Sequence, residues 1–361
     1  MSAAAALLSA FDQQVAWCVQ GASPFSARVL ARSRLWLAQH EEALTELVAV
    51  AADPLAGAVS LRWLSGLHHL ALQGLEPWAS VWPPAGSGVA DEELNTALDE
   101  AIALAWRDQR TSLRAALFNA PQTNEVQRSA ALLPGLLHVA ARTGLPLALV
   151  EIGSSAGLNL WCDQYQHEHG VWRWGDPAAT LTLRANWQGQ SPLTPPLVIQ
   201  RRAGCDQQPV DLQRPGEDLR LASFIWADQL DRLARLRAAI EVARAQMSAQ
   251  GVRVQAQAAV HFVRQQLAQR QPGQAWVLMH SVVWQYLPAS EQDDIRAQMD
   301  AAAATATAQS PLAWLRFEPP RPDLRVELRC SIWPGGEDRL LAVCHPHGAR
   351  VEWQGAAADR E

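Results

Sequence analysis

The sequence predicts an α/β protein: a doubly wound, mostly parallel sheet ending in an antiparallel hairpin, preceded by an all-helical region. Three observations carry this. The run LPLALVEIG (Leu145–Gly153) is apolar, of strand length, and ends in an acid and a glycine, so both of its faces need cover. Strand-like runs then alternate with helical patterns. Finally, VELRCSIW and RLLAVCHPHG are joined through Pro-Gly-Gly, a hairpin signal.

The elements follow in order. Val29, Leu30, Leu37, Leu44, Leu47 and Val48 recur at helical spacing between Ser26 and Ala52, and a second helix is expected from Leu55 to Leu75. The Pro/Gly-rich stretch Glu76–Gly88 reads as a loop. Asp91 can cap a helix running to about Phe118, with Glu92 and Glu93 in its first turn. A further helix is expected from Thr123 to about Arg142. Beyond Gly153, strands are expected at PLVIQR (Pro196–Arg201), VRVQAQA, AWVLMHSVVW (Ala275–Trp284) and PLAWLRFEP (Pro311–Pro319). Helices are expected at Trp226–Met247, from His261, and at Ser290–Ala306. Val171–Trp187 reads as an inserted strand pair. The division expected is a helical region over 1–120 and a sheet domain over 121–361, with the insertion at about 170–190.

Composition excludes several functions. The 361 residues carry a net charge of −6 and a pI near 5.9, too acidic for a general nucleic-acid binder. No run approaches the ~18 apolar residues of a membrane span. The apolar start, Met1–Ala10, lacks the basic region and cleavage site of a signal peptide, so a cytoplasmic protein is expected. All 30 basic residues are arginine, so Walker-lysine, Schiff-base and kinase-type chemistry are absent. Five dispersed cysteines with no C-x-x-C pair fit neither a disulfide framework nor a zinc knuckle. The pairs His167/His169 and His345/His347 lack a third ligand, and no metal is expected.

The most informative stretch is LALVEIGSSAGLNL (Leu147–Leu160): a strand, a Gly-x-x-x-Gly turn, then an expected helix whose free amides suit an anion. As a dinucleotide site it fails at Ser155, where the fingerprint wants glycine. As a nucleophile elbow, Gly153-Ser154-Ser155-Ala156-Gly157 matches G-x-S-x-G, with Asp338 or Glu318 and His345 or His347 in permitted order. That serine-hydrolase reading lacks the strands and the oxyanion-hole loop expected upstream. An acid, a glycine-rich turn and a helix start are also the first motif of Rossmann-like S-adenosylmethionine methyltransferases, and the strand pattern and terminal hairpin resemble theirs.

A wider set of motifs adds to this. TNEVQRSAALLPGLL, LVEIGSSAGLNL, GCDQQPVDL, HSVVWQYLP, LAWLRFEP, WPGG and HPHG together closely resemble the DUF2332 family, bacterial proteins of unknown function, from roughly Asn119 to Trp353. The resemblance implies a methyltransferase-like fold with an added N-terminal helical region, expected to cover the C-terminal edge of the sheet.

On the methyltransferase reading, Gly153, Ser154, Ser155 and Gly157 wrap the methionine part of the cofactor, with Asn159 in the same set. Glu151 reaches its amino group, and Asp206 (or Asp176) accepts the ribose hydroxyls through two carboxylate oxygens. Gln257 stands at the adenine position, where an acid is usual. His280 is the expected base, with Gln285 orienting an acceptor and Tyr286 beside it. The competing reading makes His280 a buried, hydrogen-bonded strand histidine among core aromatics. Asn124 and Glu125 cap a helix or reach the site. The expected function is methyl transfer from S-adenosylmethionine to an oxygen or nitrogen nucleophile, on a small molecule or a protein. The alternatives are a serine hydrolase through Ser155 or a non-catalytic methyltransferase-like scaffold.

Overall fold

The computed structural model describes residues 2–320 and 325–355. The chain divides into two compact units, Met1–Thr123 with Arg214–Arg237, and Asn124–Gln213 with Ala238–Glu361.

The first unit is helical: Ala3–Gln20, Pro24–Leu37, Glu41–Val48, Val59–Leu72, Trp78–Val81, Asp91–Asp108, Arg110–Phe118 and Glu217–Ser223. The continuous helix expected over Ser26–Ala52 breaks at Ala38–His40, where the ring Nδ1 of His40 sits 2.7 Å from the Trp36 carbonyl. The helix expected from Asp91 to Phe118 breaks at Gln109, whose φ of −120° leaves helical geometry. Asp91 is not a cap: Ala90 holds that position, and Asp91 pairs with Arg28 at 2.7 Å. Trp63 is fully buried at the centre of the core, its indole N–H donating to Ser33 Oγ at 2.9 Å. Asp228, far away in sequence, caps Pro24–Leu37 by accepting the Phe25 N–H at 2.9 Å and the hydroxyls of Ser23 and Ser26. This ties Arg214–Arg237 to the first unit; local periodicity carries no such signal.

The second unit has strands β1 (Leu147–Ile152), β2 (Gln166–Glu168), β3 (Arg173–Trp174), β4 (Thr182–Leu183), β5 (Asn186–Gln188), β6 (Ile199–Asp206), β7 (Val254–Ala256), β8 (Ala275–Ser281), β9 (Leu312–Glu318), β10 (Val326–Trp333), β11 (Asp338–Cys344) and β12 (Arg350–Trp353). Among the described residues they form a nine-stranded sheet, ordered β5-β12-β11-β10-β9-β8-β1-β6-β7, and a small sheet, β3-β2-β4. Strands β7, β6, β1, β8 and β9 run parallel. From β9 onward the chain turns straight back through β10, β11 and β12, all antiparallel. The predicted hairpin is β10–β11. The expected inserted pair divides differently: β2 to β4 make the small sheet, while β5 joins the main sheet beside β12.

Alternation along the strands gives the sheet two covered faces. Ala148, Val150 and Ile152 share a core with Trp276, Leu278, Leu312 and Trp314 under the helices Ala259–Leu267 and Ala289–Ala303. The opposite face packs on the helix Ser129–Thr143, where Gly135 lies so close to Leu315 that a Cβ would sit 2.7 Å from its methyl carbon. All five cysteines are buried free thiols. No helix among the described residues is long and apolar enough to cross a membrane.

Candidate functional site

The parallel strands end together on one edge of the sheet, and most of the quoted motifs gather there, whereas WPGG, at the end of antiparallel β10, lies at the opposite edge. Strand order changes direction between β1 and β8, the place where sheets of this kind open a crevice at their carboxyl ends. The turn after β1 is tightly wound: Gly153, Ser155 and Gly157 have φ of +67°, +52° and +75°. Only glycine takes such angles freely, so Ser155 is held there by its surroundings. Its N–H donates to Asp206 Oδ2 at 2.9 Å, and its carbonyl accepts the Val210 N–H at 3.2 Å.

Glu151 is the next-to-last residue of β1 and is 1 % exposed. Its Oε2 is buried without a hydrogen-bond partner among the described residues. Burial raises its pKa from 4.5 to about 8, and the charge of Asp206 adds to the rise; Ser154 and Arg128 oppose it. The carboxyl is therefore largely protonated near neutrality. Asp206 ends β6, the next strand, with Oδ1 accepting the Gln208 N–H at 2.9 Å. Gln257 follows β7, the strand beyond, and its N–H donates to the Asp206 carbonyl at 3.0 Å. Three of the predicted cofactor residues thus stand at the ends of three adjacent strands. Asp176 lies elsewhere, in the turn after β3, where its carboxylate accepts the Ala178 N–H.

Several expectations for this turn need correction. No α-helix follows it: Leu158–Gln164 is a kinked 3-10 segment. The amides expected to be free are engaged. Ser154 N–H donates to the Cys205 carbonyl, Gly157 N–H to the Ser154 carbonyl, and Leu158 N–H to Asn124 Oδ1 at 3.0 Å. Asn159 does not face a ligand either, because its Oδ1 accepts the Ser129 hydroxyl at 2.9 Å and it is 1 % exposed. The hydroxyl of Ser154 turns inward to the Glu151 carbonyl at 2.9 Å. The hollow over Gly153 is filled: a Cβ there would lie 2.4 Å from a methyl carbon of Val283.

His280 is 1 % exposed, with both ring nitrogens engaged. Trp314, whose indole can only donate, gives its N–H to Nε2 at 3.0 Å. The proton of the neutral ring is therefore on Nδ1, donated to Glu318 Oε1 at 2.6 Å. The ring stacks on Trp284 at 5.1 Å. It also projects from the face of the sheet opposite to Glu151, as the alternation in β1, β8 and β9 requires. The arrangement leaves no lone pair for a substrate proton, so His280 is a structural histidine here. Gln285 and Tyr286 do not join it: both are exposed on the 3-10 turn Trp284–Tyr286, Tyr286 to 75 %. The acids offered for the hydrolase reading face other partners than His345 or His347: Glu318 accepts from His280, and Asp338 pairs with Arg316 and Arg329.

Sequence reasoning missed Arg128 and the donors that Glu318 gathers. Arg128 donates to the Pro346 carbonyl through Nε and to the Ser281 carbonyl through a terminal nitrogen, each at 3.0 Å, so one guanidinium links three of the family motifs. Glu318 gathers three donors on Oε1: His280, Val283 N–H at 3.1 Å and Trp284 N–H at 3.3 Å. Both belonged to the quoted motifs, and that was the available signal. The pair His167/His169 forms a neutral relay. Ala185 N–H donates to His169 Nδ1, His169 Nε2–H to His167 Nδ1, and His167 Nε2–H to the Cys162 carbonyl. Burial lowers their pKa values to about 4 and about 3. The first unit has clefts of about 320 and 340 Å³, neither lined by a predicted site residue.

The family described as "Uncharacterized protein conserved in bacteria (DUF2332)" matches residues 9–353, nearly the whole chain. No curated protein and no solved structure matches.

Proposed function

The chain belongs to the DUF2332 family, and we propose that it is an S-adenosylmethionine-dependent methyltransferase holding its cofactor at the carboxyl ends of β1, β6 and β7. The observation that carries this is the orphaned Oε2 of Glu151, buried at the point where strand order reverses. A buried polar atom without a partner is costly by about 1–3 kcal/mol. An ammonium, such as the one on the methionine part of the cofactor, would supply the donor and favour the ionised carboxylate.

The sheet supports the reading. In order of appearance its parallel strands run 3-2-1-4-5, with β10 as a sixth beside the fifth, the sequence of a Rossmann-like sheet. Here the sixth strand is antiparallel, a departure from that pattern. Each oxygen of Asp206 takes one amide and keeps a lone pair, so the carboxylate can accept two ribose hydroxyls. Gln257 offers an amide toward a base edge. Bound there, the cofactor supplies an electrophilic methyl group to an oxygen or nitrogen nucleophile. No base is assigned, since His280 is committed to Trp314 and Glu318.

Calorimetric titration with S-adenosylhomocysteine tests the proposal. Saturable binding, weakened at least about tenfold in Asp206→Asn by loss of a charged acceptor, is the expected result. Absence of heat and of any thermal shift at millimolar ligand overturns it and leaves the scaffold reading.

A further inference from the structure

We propose that the turn Ser281–Trp284 is a gate over the glycine turn of β1, latched shut by Glu318. It governs access to the crevice assigned above, yet its movement does not depend on what enters.

The turn is held in a conformation it would not choose. Val282 has φ +54°, in the left-handed region that a β-branched residue avoids. Such a residue persists only where its neighbours over-determine it. Those neighbours are few. Glu318 Oε1 alone takes both following amides, Val283 and Trp284, together with the Nδ1 proton of His280. The Arg128 guanidinium holds the Ser281 carbonyl, and the Trp284 ring lies on His280. What this fixes in place is the Val283 side chain, seated over Gly153 where a Cβ would otherwise be.

The closed state is not fully satisfied. Glu318 Oε2 is buried without a partner among the described residues. Strain at Val282 and an orphaned oxygen on the latch both disappear when the turn lifts. The flanks are suited to movement. Val282 N–H stays on the Phe317 carbonyl at 2.9 Å, while Gln292 tethers the Trp284 and Leu287 carbonyls at 3.0 Å. Between these anchors, Gln285 and Tyr286 are exposed.

Hydrogen–deuterium exchange on the full chain, without ligand, tests the gate. In the wild type the Val283 and Trp284 amides should exchange faster than those of Leu149 and Val150 in β1. Glu318→Ala should accelerate the two turn amides at least about tenfold and leave β1 unchanged. Glu318→Gln keeps a carbonyl acceptor and should stay near the wild type. Val282→Gly relieves the strain and should slow the two amides about fivefold. If Glu318→Ala does not fold, Val282→Gly alone decides. Turn amides that exchange only with β1, or that ignore Glu318→Ala or Val282→Gly, overturn the gate. Failure of S-adenosylhomocysteine to bind would leave this result untouched.

Discussion

Trp314 donates its indole N–H to Nε2 of His280 at 3.0 Å and, together with Glu318 at Nδ1, sets the tautomer of the histidine. With Nε2 as acceptor, Nδ1 carries the proton to Glu318. Trp314→Phe removes the donor and leaves Nε2 buried without one. The expected cost is about 2–4 kcal/mol, part unsatisfied acceptor and part lost volume. Urea titration measures it, and nitrogen NMR should show the Nδ1–H form at pH 8 in both proteins, because Glu318 still accepts that proton.

Glu151 makes stability fall as pH rises. Its pKa is 4.5 when free and about 8 when folded. Between those values the folded chain keeps a proton that the unfolded chain releases, which favours unfolding as pH increases. Glu151→Gln has no charge to bury. It should gain on the wild type by up to about 1.4 kcal/mol per pH unit across this window, and by nothing below pH 4. Denaturation series at pH 4, 6 and 8 check the trend.

Three histidines of the second unit act in the opposite sense. Burial lowers His138 and His169 to about 4 and His167 to about 3, all from 6.5. Below pH 6.5 the unfolded chain takes up protons that the folded rings refuse, so the stability present above pH 6.5 is lost as pH falls toward 4. His138→Gln should flatten the acid limb by about 1.4 kcal/mol per pH unit, one histidine's share. The same denaturation series, with a point added at about pH 5, reads this slope.

Much of the sheet was legible in the sequence because its strands are buried on both faces. β1, β8 and β9 stand inside the predicted runs, and the Pro-Gly-Gly hairpin is β10–β11. β6 was placed too early: its Arg201, Arg202 and Gly204 broke the apolar pattern. They fit because Arg202 pairs with Asp163 and lies over the Trp161 ring, while Gly204 leaves room for Ser154. At the site, residue types at strand ends were readable, as Glu151, Asp206 and Gln257 illustrate. Amide partners were not. Whether Leu158 N–H is free depends on Asn124, 34 residues away, and the state of His280 depends on Trp314. Periodicity carries no information on such pairs.

Asp228 should be a stability determinant of the helical unit. Asp228→Ala strips the cap from Pro24–Leu37 and leaves the buried hydroxyls of Ser23 and Ser26 without their acceptor. A loss of about 2–4 kcal/mol is expected, with Asp228→Asn intermediate. Thermal melting of the three proteins provides the comparison.

Gly348 permits the HPHG turn to rest on the backbone of the Gln127–Arg128 segment. Its φ is +71°, and a Cβ would lie 2.3 Å from the Gln127 carbonyl oxygen. Gly348→Ala should cost about 2–4 kcal/mol, because neither backbone can give way. A urea midpoint equal to the wild type would show that the turn can re-seat itself.

The two outermost strands of the main sheet, β5 and β7, are three residues each, whereas β6, β1, β8, β9, β10 and β11 within it run to between six and eight. Unpaired ladder groups at a sheet margin invite another chain to add on, and brevity is one way to deny it a template. With so little margin on offer, strand addition at either flank has few hydrogen bonds to gain, and self-association through these flanks is disfavoured.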